Sequence, residues 1–168
     1  MTEVGIRDTP PLNWDVFVTP GIPIATSDLP PGIKQAMFQA IASTLIYGKR
    51  DAVLVDAFMT VKQADALVYW VAASGKNLTT IYITHGHGDH WFGIGALLER
   101  FRNAKTVATP NVVSVMRQHA SPKLLERVWK ALSWPDPRPA RDGRGAQRKC
   151  NKSLGARLGR SGTRSYRH

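Results

Sequence analysis

Between residues 84 and 90 the chain reads Thr-His-Gly-His-Gly-Asp-His, which puts three histidines and one aspartate within six positions. This run constrains the fold more than any other feature, because one short loop must carry four side chains able to bind a cation. Imidazole nitrogen and carboxylate oxygen are the donors a catalytic zinc takes when one coordination position must stay open for water, whereas closed structural sites lean on thiolate. The single cysteine, Cys150, lies far downstream, so neither an intramolecular disulfide nor a Cys-rich cluster is available. In an extended segment alternate side chains share a side, so His85, His87 and Asp89 are expected to project together while His90 begins the next turn. Gly86 and Gly88 lack a Cβ and are expected to allow tight turns, left-handed ones included, that bring neighbouring ligands onto one or two ions.

The flanks of this run alternate between strand and helix patterns. Trp14–Val18 reads as a short edge strand in a proline-rich opening, and Ala42–Tyr47 and Ala52–Val55 read as a hairpin joined through Gly48–Asp51. Thr60 and Gln63 fit a capping box, and Ala64, Leu67, Val68 and Val71 follow at helical spacing up to Gly75, which predicts a helix over 61–74. Thr79–Ile83 is a buried strand leading straight into the histidines, and Ile94, Leu97, Leu98 and Phe101 repeat the helical spacing beyond them. The cluster therefore belongs to a strand-to-helix loop. Thr106–Thr109 reads as a further strand, Pro110 opens a helix near 111–119, and Ser121-Pro122 caps another that carries Leu124, Leu125 and Val128. Such alternation predicts an α/β layered fold.

The His85-x-His87-x-Asp89-His90 pattern, preceded by a hydrophobic strand and by Asp56 at the end of Val53-Leu-Val, resembles the metallo-β-lactamase superfamily. The resemblance implies the N-terminal half of an αβ/βα sandwich, a mixed sheet covered by helices. It also implies that His85 and His87 bind a first metal ion, that Asp89 and His90 bind a second, and that Asp56 is the acid standing behind these ligands. Zinc is the ion expected, one or two per chain, with iron or manganese able to occupy similar sites. The chemistry implied is hydrolysis of a small-molecule substrate by water activated at the ion, with Asp89 orienting that water or moving its proton. His119 lies on a predicted helix and reads as a solvated position rather than a ligand, and His168 reads as an accident of the tail.

The likeness runs from about Ile41 to Leu132. Residues 1–135 read as the partial metallo-β-lactamase-like domain, and residues 136–168 read as a disordered basic tail rich in Arg, Gly and Ser, with too little apolar surface to offset its ordering entropy. The net charge of +11 belongs mostly to that tail: residues 1–135 carry 13 Lys and Arg against 10 Asp and Glu, while residues 136–168 carry 10 against 2. Lacking interleaved aromatics, the tail predicts no specific nucleic-acid partner. The switch in character after Trp134-Pro135 reads as an altered reading frame. Leu132-Ser-Trp-Pro can be written CTT TCC TGG CCA, and one base later it gives Phe-Pro-Gly. No counterparts of the family's later ligands are found. The expectation is thus a zinc-dependent hydrolase at family level, with a catalytically inactive metal-binding fragment of such a hydrolase as the alternative. The opening residues lack a basic, then apolar leader, and no apolar run is long enough to span a bilayer, so a cytoplasmic protein with no membrane partner is expected.

Overall fold

The structure, a computed structural model, describes residues 11–24 and 29–124. Strand β1 (Asn13–Thr19) is followed by a two-residue ribbon, β2 (Ile22–Pro23) with β3 (Met37–Phe38), and then by β4 (Ile41–Tyr47) and β5 (Asp51–Val55). Helix α1 (Val61–Ala73), strand β6 (Asn77–Tyr82), a 3-10 turn at Gly88–His90, helix α2 (Ile94–Arg100), strand β7 (Lys105–Val107), helix α3 (Pro110–His119) and the short α4 (Pro122–Leu124) complete the order. Five strands form one sheet in the order β1-β4-β5-β6-β7. Its first half is antiparallel, β1 on β4 and β4 on β5, and its second half is parallel, β5 on β6 and β6 on β7. This is the mixed α/β architecture that the strand and helix patterns imply.

Period-two burial explains the strands. Ile41, Ser43 and Leu45 of β4 and Ala52 and Leu54 of β5 are buried on one face, and the β4–β5 connection closes with the Gly48 N–H donating to the Asp51 carbonyl. α1 begins as a capping box: Thr60 Oγ1 accepts from the Gln63 N–H and Gln63 Oε1 accepts from the Thr60 N–H. Beyond its end, Gly75 takes φ 66°, a left-handed conformation that costs glycine little. Leu67 and Val71 of α1 and Ile94 and Leu97 of α2 are fully buried in one cluster with Leu45, Leu54, Ile81 and Ile83. Because α1 and α2 touch each other, both lie on the same face of the sheet.

The opposite face carries Trp14, Val16 and Val18 of β1, paired with Ile46, Thr44 and Ala42 of β4, and Tyr82 of β6 beside Val55 of β5. Trp14, at 68% exposure, and Val18, at 59%, show that no described element covers this side. Among the described residues no helix is long and apolar enough to cross a membrane.

Most of the expected elements appear within one or two residues of their anticipated bounds. The β2–β3 ribbon was not anticipated, since two residues per strand leave no period to detect. The continuation of α4 through Leu125 and Val128 and the whole of residues 136–168 lie outside the described residues. Each parallel crossover leaves the carboxyl ends of β5, β6 and β7 on one edge, where α/β sheets place their ligands.

Thr106 of β7 is 1% exposed, and its Oγ1 has no hydrogen-bond partner among the described residues. Replacing a buried, unpaired hydroxyl by a methyl removes a desolvation penalty, so Thr106→Val is expected to stabilise the fold by about 1 kcal/mol. Urea unfolding of the two proteins measures it, and an equal or lower midpoint for the variant would refute the assignment of that hydroxyl as unpaired.

Candidate metal centre

Three loops converge at this edge, and Asp56 ties two of them together. Its residue follows β5 with φ 64°, and Phe58, two positions on, has φ 62°. Left-handed backbone at a non-glycine residue costs on the order of 1–3 kcal/mol, so the surroundings must hold it there. They do so from several sides. The Asp56 N–H donates to the Tyr82 carbonyl at 2.9 Å, and the buried Ser43 hydroxyl donates to the Asp56 carbonyl at 2.9 Å. The carboxylate is 6% exposed as a residue and fully engaged: Oδ1 accepts from the Thr84 N–H at 2.9 Å, and Oδ2 accepts from the Thr84 hydroxyl at 2.7 Å. Oδ2 also lies 2.8 Å from His90 Nδ1. The Ala57 N–H donates to the His90 carbonyl at 2.7 Å and the Gly93 N–H to the Phe58 carbonyl at 3.0 Å, which completes the seam between the two loops.

With Nδ1 committed to Asp56, His90 turns Nε2 toward Asp89 Oδ2 at 3.4 Å. His85 and His87 form a second pair, with His85 Nε2 facing His87 Nδ1 at 3.1 Å. The rings stand close together: His85 is 3.8 Å from His90 between centroids and 4.7 Å from His87. His119, at the end of α3, stacks on His87 at 4.8 Å. The result is a row of four imidazoles, His119–His87–His85–His90, ending on the two carboxylates Asp89 and Asp56.

Three local expectations need correction. The segment is not extended throughout: the 3-10 turn at Gly88–His90 sets Asp89 beside His90 rather than in line with His85 and His87. Gly86 and Gly88 are not left-handed, since among the described glycines only Gly32 and Gly75 have positive φ. They are required for close approach instead. A Cβ on Gly86 would stand 2.5 Å from the Val115 Cβ of α3, and one on Gly88 would strike the Phe92 ring. Third, His119 is not a solvated helix position: α3 packs against the histidine loop and turns that ring inward. Its sequence spacing from the motif carries no sign of this. His168 lies outside the described residues.

The family profile described as the metallo-beta-lactamase superfamily matches residues 37–149, well over half of the chain. The chain belongs to the metallo-beta-lactamase superfamily. A relative, the hydroxyacylglutathione hydrolase of Francisella tularensis subsp. novicida (strain U112), is 36% identical over 64 residues, which are 38% of this chain and 24% of the relative. The chain thus matches about a quarter of that protein's length. Among solved structures, the metallo-beta-lactamase SMB-1 in a complex with mercaptoacetic acid is 30% identical, covering 49% of this chain and 33% of its own at a TM-score of 0.42. The DIM-1 metallo-beta-lactamase exposed to ceftazidime is 20% identical, covering 67% and 49% at a TM-score of 0.43. At these scores the two structures add nothing to the assignment.

Superfamily membership raises the question of whether the side chains fit a metal ion. Two nitrogens bound to one tetrahedral zinc at its usual bond length stand about 3.3 Å apart. The His85 Nε2–His87 Nδ1 separation of 3.1 Å and the His90 Nε2–Asp89 Oδ2 separation of 3.4 Å both match such an edge. The donor types and the spacings fit, as pairs. Among the described residues no group of three or more His, Cys, Asp or Glu side chains converges to hold an ion by itself.

The charges follow from the same contacts. Burial works to neutralise His90, but its hydrogen bonds to Asp56 and Asp89 and their negative charge raise its pKa to about 9. Burial opposes ionisation of Asp89, yet the hydrogen bond and charge of His90 outweigh it and bring the carboxyl below its usual range. Burial, aided by the charges of His90 and His87, lowers the His85 pKa below the ordinary histidine value, and burial with the charge of His87 lowers that of His119. In the metal-free protein a raised pKa in the folded state means that His90 contributes its full stabilisation below the ordinary histidine value and loses it as pH climbs through about 9. Thermal unfolding of the metal-free protein is therefore expected to occur at lower temperature as pH rises across that window, with a flatter profile for Asp56→Asn. Equal slopes for the two proteins would count against the His90–Asp56 ion pair.

Proposed function

We propose that this chain binds zinc through His85, His87, Asp89 and His90, and that the site serves the hydrolysis of a small-molecule substrate. The observation that carries the reading is the pair of donor edges, His85 Nε2 with His87 Nδ1 and His90 Nε2 with Asp89 Oδ2, on one loop at the carboxyl ends of the parallel strands. A bound divalent ion supplies a lowered pKa for its water and polarisation of the bond under attack. Iron or manganese would satisfy the same donors. Asp89, ionised and buried, would be the group to orient that water and accept its proton. Asp56 would act behind it: by holding His90 Nδ1, it leaves Nε2 as the ring nitrogen that would hold the ion.

The hydrolase of hydroxyacylglutathione among the relatives makes hydroxyacylglutathiones the first substrates to test. A second reading, metal binding without turnover, is favoured by the pairing of the donors, because no third described side chain completes either set.

Elemental analysis of the purified chain tests the first half of the proposal, with the His85→Ala/His87→Ala double variant as control. Near-stoichiometric zinc that disappears in the variant is expected, and a metal-free wild type would sink it. Hydrolysis of a hydroxyacylglutathione by the loaded protein then separates the two readings. Asp89→Asn is expected to lower the rate by roughly 10²–10⁴-fold, the usual contribution of a positioned proton acceptor. Stoichiometric metal with no turnover would leave the binding reading standing alone.

A further inference from the structure

α3 does more than close the domain, because it supplies a wall to the histidine loop. Thr109 caps it, with Oγ1 accepting from the Val112 N–H, and Pro110 starts it. Val113, Met116 and Ala120 enter the core. Val115 and His119, one turn apart on a neighbouring stripe, face the loop instead: Val115 lies against Gly86, and the His119 ring lies over the His87 ring, 4.8 Å between centroids and inclined by 29°. At the same glycine, Trp91 Nε1 donates to the Gly86 carbonyl at 3.0 Å. Gly86 is thus bonded to Trp91 and packed against α3, and the absence of its Cβ is what lets α3 come close enough for His119 to reach His87.

From this juxtaposition we infer that His119 is a positioning residue for the His85–His87 pair: its ring, stacked at an incline on His87, fixes the orientation in which His87 Nδ1 faces His85 Nε2. An exposed histidine on a loop can populate several rotamers, so two such rings need a further contact to hold one nitrogen-to-nitrogen separation suited to one ion. Here His87 is exposed, yet its ring is held between His85, edge-on at 74°, and His119, stacked. The stack needs a flat ring at position 119 and no nitrogen, which distinguishes this role from ligation. The inference rests on the reading of His85 and His87 as metal-binding residues, but the positioning itself is a property of the metal-free protein and is testable there.

The experiment compares wild type, His119→Ala and His119→Phe, with two readouts. In the metal-free proteins, long-range ¹H–¹⁵N spectra at one mildly alkaline pH report which nitrogens of His85 and His87 carry hydrogen. Defined tautomers are expected in wild type and His119→Phe, and averaged ones in His119→Ala. Titration with zinc or cobalt reports affinity, which is expected to fall by about tenfold or more in His119→Ala, as when other groups that orient a metal ligand are lost, and to be largely restored in His119→Phe. Unchanged tautomers in His119→Ala would overturn the inference whatever the metal data show. Loss of affinity in His119→Phe with tautomers retained would also overturn it, because a nitrogen and not a flat ring would then be what the site needs. A wild type that binds no metal would instead overturn the proposed function, and the spectra of the metal-free proteins would still decide the role of His119.

Discussion

One carboxylate holds the working edge of this domain together. Asp56 accepts from both the amide and the hydroxyl of Thr84 and from His90, so it joins the end of β5, the end of β6 and the 3-10 turn through a single buried group. Its left-handed backbone is strained in isolation and is retained because each of these partners would be left unpaired by its relaxation. His90 takes its ring orientation from Asp56, Asp89 takes its partner from His90, and the His85 ring packs on His90 in turn. The order of dependence runs from a strand terminus to a row of imidazoles without any side chain acting alone.

What the sequence makes legible, and what it hides, follows from how local each cause is. The capping box of Thr60 and Gln63 and the stripe Ala64–Leu67–Val71 are interactions between neighbours in the chain, and they specify α1 almost to the residue. The histidine motif is equally local, and its three histidines and one aspartate stand together in the fold. Asp56 was singled out only through a resemblance, since nothing in Val-Leu-Val-Asp says that the aspartate will turn left-handed and reach Thr84. The inward turn of His119 is invisible for a different reason: it depends on α3 returning from β7 across Gly86, a tertiary approach with no trace in helical spacing. The glycines of the loop were read for their backbone freedom when their missing Cβ atoms matter for packing. Local reading names the right residue and assigns it the wrong cause whenever the neighbour that matters arrives from elsewhere in the chain.

The two halves of the sheet carry different burdens. Its parallel half delivers the loops of the candidate metal centre, and the helices α1 and α2 fill the core beneath it. Its antiparallel half delivers no site residue directly, yet Ser43 of β4 reaches across to the carbonyls of Val55 and Asp56 and so braces the turn from which the site begins.

Strand β1 is frustrated in a way that reveals what decides its alignment. Trp14, Val16 and Val18 lie on the open side, while Asn13, Asp15, Phe17 and Thr19 face the helices. Sliding the strand by one residue would exchange the two sets and bury the more apolar one, so burial alone would choose the wrong alignment. Specific contacts choose the right one: the Tyr47 hydroxyl donates to Asp15, the Gln63 amide donates to the Thr19 hydroxyl, that hydroxyl reaches the Ile41 carbonyl, and Phe17 stacks on Trp70 beside Phe58. The same Gln63 that closes the cap of α1 thereby pins the edge strand, and the helix start and the strand alignment are set by one side chain.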